Sequence, residues 1–301
     1  MNKPTETFMP SSLSFIIPVY NENGVIDLFL PELLKNLEEL KEELDLELLL
    51  VDDGSTDGWE ASNLPVWAKV IRHPINMGNG AAIKTGVRAA KNEYCLVMDG
   101  DGQHQWKDAK ALLPLLEEYP LVVGARDFEN SGTVHRNLAN RVYCSLASFV
   151  SDFKIQDLTS GLRAFRRDIA LSMLHLFPNQ YSAPTTMTLT FLRWGYPIRY
   201  VGIDVLARKG TSKIRLFKDG FRFLLIILKI STLFSPMKIF LPVSASLALA
   251  SLFSYIFFLL AESRFTVWTV ILFTNAVTIF MIGLVAEEIG QLKTRPEDSR
   301  K

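Results

Sequence analysis

Residues 97–104 read VMDGDGQH and close an apolar run, YCLVM, with two carboxylates one residue apart, Asp99 and Asp101, each followed by glycine. An apolar run of this length bounded by glycines predicts a buried strand. Side chains alternate along a strand, so Asp99 and Asp101 are expected to point the same way if the extended backbone persists between them. Two carboxylates on one side repel each other. Something positive is then expected between them: a lysine or arginine, or a hard divalent cation such as Mg2+ or Mn2+ that completes its shell with water and substrate phosphate. A solvated turn made of Asp and Gly is the bland alternative, and these eight residues alone leave it open.

The segments around this pair alternate between strand and helix patterns. Strands are predicted at 13–19, 46–52, 69–73, 94–99 and 120–125, and helices at 25–44, 80–91 and 106–118. Short apolar strands separated by helices imply an α/β fold with a mostly parallel, Rossmann-like sheet covered on both faces. Ligands of such sheets bind beyond the carboxyl ends of the strands. The loops there are YNENG, DDGSTDG, HPINMGNG, GDGQH and RDFENSG, where acids, amides and glycines gather as one nucleotide-sized site would need. GNGAAI at 78–83 imitates a dinucleotide fingerprint, but Ile83 stands where the third glycine belongs. Gly78 and Gly80 are better explained by a tight turn and the start of a helix.

The 301 residues carry no net charge and are 49% hydrophobic, with the apolar residues concentrated near the C-terminus. Stretches 239–260 and 265–286 contain no formal charge, and each is long enough to cross a hydrocarbon layer of about 30 Å. With only AESR between them they form a natural hairpin. Arg208, Lys209, Lys213, Arg215, Lys218, Arg222, Lys229 and Lys238 precede the first span, and Lys293, Arg295, Arg300 and Lys301 follow the second. The positive-inside rule therefore places both termini and the catalytic part in the cytoplasm. MNKPTETFMP lacks the apolar core of a signal peptide. Cys95 and Cys144 have no metal-ligand spacing and are expected to be reduced packing residues. Within 216–235, Lys218, Arg222 and Lys229 share a narrow stripe of a helical wheel, which suits a helix in the membrane interface.

Taken together, IIPVYNE, VDDGSTDG, NMGNGAAIKTG, MDGDGQH, GAR, DLTSGLRAFRR and RKGTSKI occur in an order that resembles the family 2 glycosyltransferases with a GT-A fold. The closest resemblance is to the dolichol-phosphate mannose synthase and polyprenyl-phosphate glycosyltransferase branch. It implies that Pro18, Tyr20, Glu22 and Asp53, with Asp52 nearby, hold the nucleotide. Asp99, Asp101 and Gln103 would face one Mg2+ or Mn2+ that bridges the donor diphosphate. Arg208, Ser212 and Lys213 would cover the donor phosphates, and Arg126 and Arg136 would receive the acceptor phosphate. The chain departs from the pattern at YSAPTTMTLTFLRWGYPI, where many relatives place a glutamate and this chain has threonines. Thr190 stands three residues before Arg193-Trp194, where processive synthases carry glutamine. That difference and a two-span anchor argue against a polymerase.

The resemblance thus implies a tail at 1–12, a GT-A domain at 13–215, an interfacial helix at 216–235, two transmembrane helices at 236–288 and a basic tail at 289–301. The implied reaction moves one sugar, with inversion, from a UDP- or GDP-linked donor to a polyprenyl phosphate, undecaprenyl or dolichyl. A cation between Asp99 and Asp101 would absorb the charge that grows on the departing diphosphate. A lipid phosphate is already anionic at neutral pH, so no protein base is obligatory; His104 is expected as a supporting or capping residue and Asp157 as a structural or sugar-facing one. Two rivals remain: transfer to a lipid hydroxyl such as diacylglycerol, which requires a base, and a catalytically silent nucleotide-sugar-binding membrane protein. Membrane is an expected partner, a homo-oligomer is compatible, and no nucleic acid is expected.

Overall fold

The structure is a computed structural model and describes residues 8–60, 64–126, 134–180, 183–205, 232, 235–262 and 266–293. The elements are β1 (Ser12–Val19), α1 (Ile26–Lys41), β2 (Asp45–Asp52), β3 (Ala68–Arg72), α2 (Asn79–Ala89), β4 (Tyr94–Val97), α3 (Trp106–Leu112), β5 (Leu121–Arg126), α4 (Val134–Ser151), β6 (Arg163–Arg166), α5 (Arg167–Met173), α6 (Ala183–Arg193), β7 (Ile198–Ile203), α7 (Met237–Glu262) and α8 (Val267–Lys293). Short 3-10 turns extend α3 over Leu113–Glu117 and α5 over Leu174–Leu176. They fall into two compact units, one within residues 1–145 and 153–214, the other within 146–152 and 215–301.

The first unit is built on a seven-stranded sheet in the order β3-β2-β1-β4-β6-β5-β7. The pairs β3-β2, β2-β1, β1-β4 and β5-β7 are parallel; β6 runs antiparallel to both β4 and β5. The expected α/β sheet is therefore present, with two strands that the apolar pattern did not reveal. Alternation sorts its residues into two cores. Phe15, Ile17, Leu48 and Leu50 pack with Leu33 and Leu37 of α1 and Leu112 of α3. On the other face, Ile16, Leu49 and Val51 meet Ile83 and Val87 of α2, Met173 of α5 and Phe191 of α6. Burial on both faces explains why these strands read as unbroken apolar runs rather than alternating ones. Helix α2 lies so close to β1 that a Cβ at Gly86 would stand 2.4 Å from Ile16 Cγ2.

From β1 the chain winds outward through β2 and β3, then returns to the other side of β1 as β4. The order reverses between β1 and β4, and a crevice opens beyond the carboxyl ends of strands at such a switch point. The loops that follow β1 and β4 hold Tyr20–Gly24 and Asp99–His104. Both cysteines are free and buried, Cys95 in β4 and Cys144 in α4.

The second unit contains α7 and α8. Their apolar stretches, Met237–Ala261 and Val267–Leu292, have mean hydropathies of 2.1 and 2.2. At 1.5 Å per residue each is long enough to cross a hydrocarbon core. The helices form an antiparallel hairpin with small and hydroxyl residues at its seam. Ser251 Oγ donates to Thr269 O at 2.9 Å, Ala276 is buried, and a Cβ at Gly283 would meet Phe240 Cβ at 2.6 Å. Large apolar side chains including Phe253, Leu260, Trp268 and Phe273 are exposed. That outward apolar surface is what a hairpin in lipid requires. The expected interfacial helix, with Lys218, Arg222 and Lys229, lies almost wholly outside the described residues, as does the tail from 294 onward.

Candidate active site

Two loops at the switch point are tied together by side chains acting on main chain. Asn21 N–H donates to Ser55 Oγ at 3.1 Å, and Thr56 N–H returns to Asn21 Oδ1 at 2.8 Å. Asn23 N–H donates to Asp57 Oδ2 at 2.8 Å. Asn21 adopts φ 52°, a left-handed conformation that asparagine tolerates. These bonds set the direction in which Tyr20 and Glu22 leave β1.

The two adjacent acids of DDGS do different work. Asp52 is fully buried, accepts Ser55 N–H at 2.8 Å and pairs with Arg72 Nε at 2.6 Å. Burial alone would push its carboxyl up; the bonds from Ser55 and Arg72 outweigh this and hold it below the usual carboxylate range. Asp53 accepts Met77 N–H at 2.9 Å, Gly78 N–H at 2.7 Å and His73 Nδ1 at 2.7 Å, while His73 Nε2 contacts Thr85 Oγ1 at 2.9 Å. Asp52 thus latches β2 to β3, and Asp53 shapes the chain into α2. A depressed carboxyl stabilises the fold above its unfolded pKa and loses that contribution as pH falls through the folded value. Arg72→Met should therefore cost about 1 kcal/mol near pH 7, a figure discounted for the solvent exposure of Arg72. The deficit should shrink below about pH 4. Thermal unfolding of both proteins across that range checks it, and a deficit that grew on acidification would contradict the pairing.

Gly78 precedes α2 at φ 101°, and a Cβ there would stand 2.4 Å from Asn179 O. Gly80 is equally close to Pro178 O, at 2.2 Å. The absence of side chains lets the 178–180 segment lie against the start of α2. Ala81 N–H donates to Asn179 O at 3.0 Å, and Lys84 Nζ reaches Phe177 O at 3.0 Å and also Asn179 Oδ1. Gln180 is thereby brought to the cleft.

That cleft has a volume of about 260 Å3. Of the residues expected to handle the donor, it is lined by Pro18, Tyr20, Glu22, Asp53, Asp99 and Asp101. Asp52 is not among the lining residues. Asn76, Asn79 and Gln180 also line it. The first two sit in the HPINMGNG loop that the strand pattern already placed at this end of the sheet. Gln180 carried no sequence signal.

Asp99 and Asp101 both line the cleft, but β4 ends at Val97 and Gly100 and Asp101 lie in a turn, so the loop and not strand alternation brings them there. Among the described residues no lysine or arginine forms an ion pair with either. Gln103 N–H donates to Asp101 Oδ1 at 3.2 Å. Asp99 rests against bare backbone: a Cβ at Gly161 would stand 1.8 Å from Asp99 Oδ2. Burial raises the Asp99 carboxyl pKa; His104, Arg163 and Arg126 oppose this, and the Asp101 charge adds to it. His104 Nδ1 is buried without a hydrogen-bond partner, so it caps nothing through that atom, and burial lowers its pKa despite Asp99 and Asp101 nearby. No cluster of three His, Cys, Asp or Glu side chains suited to a metal occurs among the described residues. Two carboxylates without nitrogen or sulfur donors do not make a closed zinc site. They do fit a hard cation that draws its remaining ligands from water and phosphate.

Arg126 ends β5 and is committed to a buried acid. Its Nε and Nη2 donate to Asp157 Oδ2 and Oδ1 at 2.7 and 3.0 Å, and Nη2 also reaches Thr159 Oγ1 at 2.6 Å. Asp157 is wholly buried and accepts Thr159 N–H as well, at 2.9 Å. Burial works against the charge on Arg126, but Asp157, with Asp99 and Asp101, more than reverses this and raises its pKa. Arg136 falls on α4, its side chain outside the described residues, and Arg208, Ser212 and Lys213 also lie outside them.

Comparison with known proteins agrees with this architecture. The sequence model of glycosyl transferase family 2 matches residues 14–173, and that of the GtrB C-terminal hairpin matches 235–292. The undecaprenyl-phosphate 4-deoxy-4-formamido-L-arabinose transferase of Proteus mirabilis is 25% identical over 303 residues, covering 94% of this chain and 89% of its own. The dolichyl-phosphate beta-glucosyltransferase of Dictyostelium discoideum is 26% identical, covering 73% and 77%. Among solved structures, glucosyl-3-phosphoglycerate synthase from Mycobacterium tuberculosis, in complex with Mn2+, UDP-glucose and phosphoglyceric acid, superposes with a TM-score of 0.56. It is 22% identical and covers 73% of this chain and 79% of that one, a likeness of fold. With more than half of its length matched and the strand-end cleft in place, the chain belongs to glycosyl transferase family 2 and carries that family's GT-A-like sheet together with a C-terminal membrane hairpin.

Proposed function

We propose that this chain transfers one sugar from a nucleoside diphosphate-sugar to a polyprenyl phosphate at the membrane surface. The observation that carries the reading is the pair Asp99–Asp101, without an ion-pair partner among the described residues, in the switch-point cleft of a chain that also bears an apolar hairpin. Relatives named for undecaprenyl- and dolichyl-phosphate transfer support the acceptor class. A structural neighbour bound to Mn2+ and UDP-glucose supports the donor class and the cation.

In this reading Tyr20, Glu22 and Asp53 border the nucleotide, and Asp99 and Asp101, with Gln103, hold Mg2+ or Mn2+. The cation supplies Lewis-acid stabilisation to the departing diphosphate. Arg208, Ser212 and Lys213 add hydrogen bonds and charge over the donor phosphates, and Arg126 and Arg136 orient the acceptor phosphate. Asp157 has both oxygens engaged by Arg126 and Thr159, which removes one candidate for the base that a hydroxyl acceptor needs. In the same reading the catalytic unit and both termini lie on the cytoplasmic side, which the basic flanks of the hairpin support.

Incubating the purified protein with UDP- and GDP-sugars, Mg2+ or Mn2+, and undecaprenyl or dolichyl phosphate should give a lipid heavier by one glycosyl unit. A product formed only on diacylglycerol, or nucleotide binding with no product on any lipid, would replace the proposal with one of its rivals.

Replacing Lys218, Arg222 and Lys229 together by glutamine should lower turnover of polyprenyl phosphate in anionic liposomes and leave nucleotide binding unchanged. Each such side chain is worth about 1 kcal/mol at an anionic leaflet. Loss of nucleotide binding with lipid-charge dependence intact would assign the stripe to the catalytic unit instead.

A further inference from the structure

Arg163 opens β6 and is wholly buried. Burying a guanidinium is costly unless its donors are met, and an apolar side chain of similar volume is often no less stable. Here the donors meet main chain and a hydroxyl. Nε and Nη2 donate to Ser160 O at 3.2 and 2.6 Å, and Nη1 to Pro184 O at 2.7 Å and Thr188 Oγ1 at 3.4 Å. Burial draws its pKa down to about 10, which leaves it cationic at neutral pH.

What this fork holds is the loop between Asp157 and Leu162. One arm grips Ser160, and the other grips the first turn of α6 at Pro184. Thr185 Oγ1 adds a second stitch, to Leu158 O at 3.3 Å. The same short loop carries Asp157, which grips Arg126, and Gly161, against which the Asp99 carboxylate rests. Ser160 O, the carbonyl that takes two of the Arg163 donors, belongs to the peptide joining Ser160 to Gly161. A shift of that peptide moves the surface under Asp99.

We propose that Arg163 is a positioning residue: by clamping the 157–162 loop to α6 it holds Asp99 at the cation site and fixes that site's distance from Arg126. The inference rests on the reading of Asp99 and Asp101 as the cation pair. It predicts the opposite sign from simple electrostatics. A buried positive charge near the two carboxylates opposes a second cation, so neutralising it would tighten metal binding if charge were its only contribution. A clamp, once lost, weakens it.

The test is Mn2+ binding without substrates, read from the electron paramagnetic resonance of free Mn2+, on the full chain in detergent as wild type, Asp101→Asn, Arg163→Lys and Arg163→Met. Thermal unfolding run beside it reports folding. The expected result is a Kd at least tenfold weaker for folded Arg163→Met. Arg163→Lys, which keeps the charge but cannot fork between Ser160 and Pro184, should fall between the two. At saturating Mn2+, the KM for polyprenyl phosphate should rise more than the KM for the donor. An unchanged or tighter Kd in Arg163→Met overturns the proposal. If that variant does not fold, an unchanged Kd in Arg163→Lys overturns it. Asp101→Asn separates the two levels: if it binds Mn2+ like the wild type, the cation-pair reading fails and this inference with it. If it loses Mn2+ while the Arg163 variants keep it, the clamp alone is refuted.

Discussion

Asp101→Asn is expected to leave the chain folded and membrane-bound while lowering sugar transfer by well over tenfold at saturating metal. Asp101 lines the cleft and has no ion-pair partner among the described residues, and its one described bond is accepted from Gln103 N–H. Asparagine keeps an oxygen for that bond and keeps the side chain's shape. What it removes is a negative charge that a hard cation needs. Retention of more than about a tenth of wild-type turnover would limit the loss to about 1.4 kcal/mol, too little for a metal ligand. Circular dichroism and membrane fractionation exclude trivial misfolding.

Arg126→Leu should be damaging in two separable ways. It leaves Asp157, fully buried, without its guanidinium, and breaking a buried pair from one side typically costs about 3–5 kcal/mol. It also removes a group proposed to receive the acceptor phosphate. The double variant Arg126→Leu/Asp157→Leu distinguishes these, because an apolar pair in place of a buried ion pair is often tolerated. Unfolding temperature should fall in the single variant and recover in large part in the double, while transfer stays low in both. Recovery of transfer along with stability would show that Arg126 serves the fold alone.

Four of the five strands legible in the sequence, β1, β2, β4 and β5, are buried on both faces and dominated by apolar residues, whereas β3 is legible although it is an edge strand with no buried residue. β6 and β7 escaped for opposite reasons. β6 reads RAFR, and a buried arginine at its first position breaks any apolar pattern. β7 reads IRYVGI at the sheet edge, with only its end residues buried, so its pattern is weak. Alternation predicts Asp99 and Asp101 on one side because they are two residues apart; both do line the cleft, but as loop residues beyond the end of β4 at Val97. The same rule puts adjacent Asp52 and Asp53 on opposite sides: one lines the cleft and the other meets Arg72. Gln180 could not be read at all. Its place depends on Gly78 and Gly80 admitting a segment a hundred residues away in sequence, and close approaches of that kind leave no local periodicity.

Because β6 runs against its neighbours, the sheet has a joint. The residues that line the cleft come, all but Gln180, from β1 through the loop after β4, and Arg126 comes from β5, on the far side of β6. The strand pairing that joins these halves runs through only four residue couples, Tyr94↔Arg166, Cys95↔Phe165, Leu96↔Ala164 and Val97↔Arg163. The two middle couples are apolar and fully buried, and they place no polar side chain that the opposite half must match. The joint therefore marks where two relatives could exchange halves. A chimaera that takes residues up to the end of β4 from one parent and the remainder of the sheet from another must keep these couples in volume, and must import the Gly161 gap under Asp99 together with the second half. Such an exchange would set one parent's β1–β4 wall of the cleft against the other's Gln180 and Arg126, so recombination at β4–β6 would report which half of the sheet sets donor preference and which sets acceptor preference.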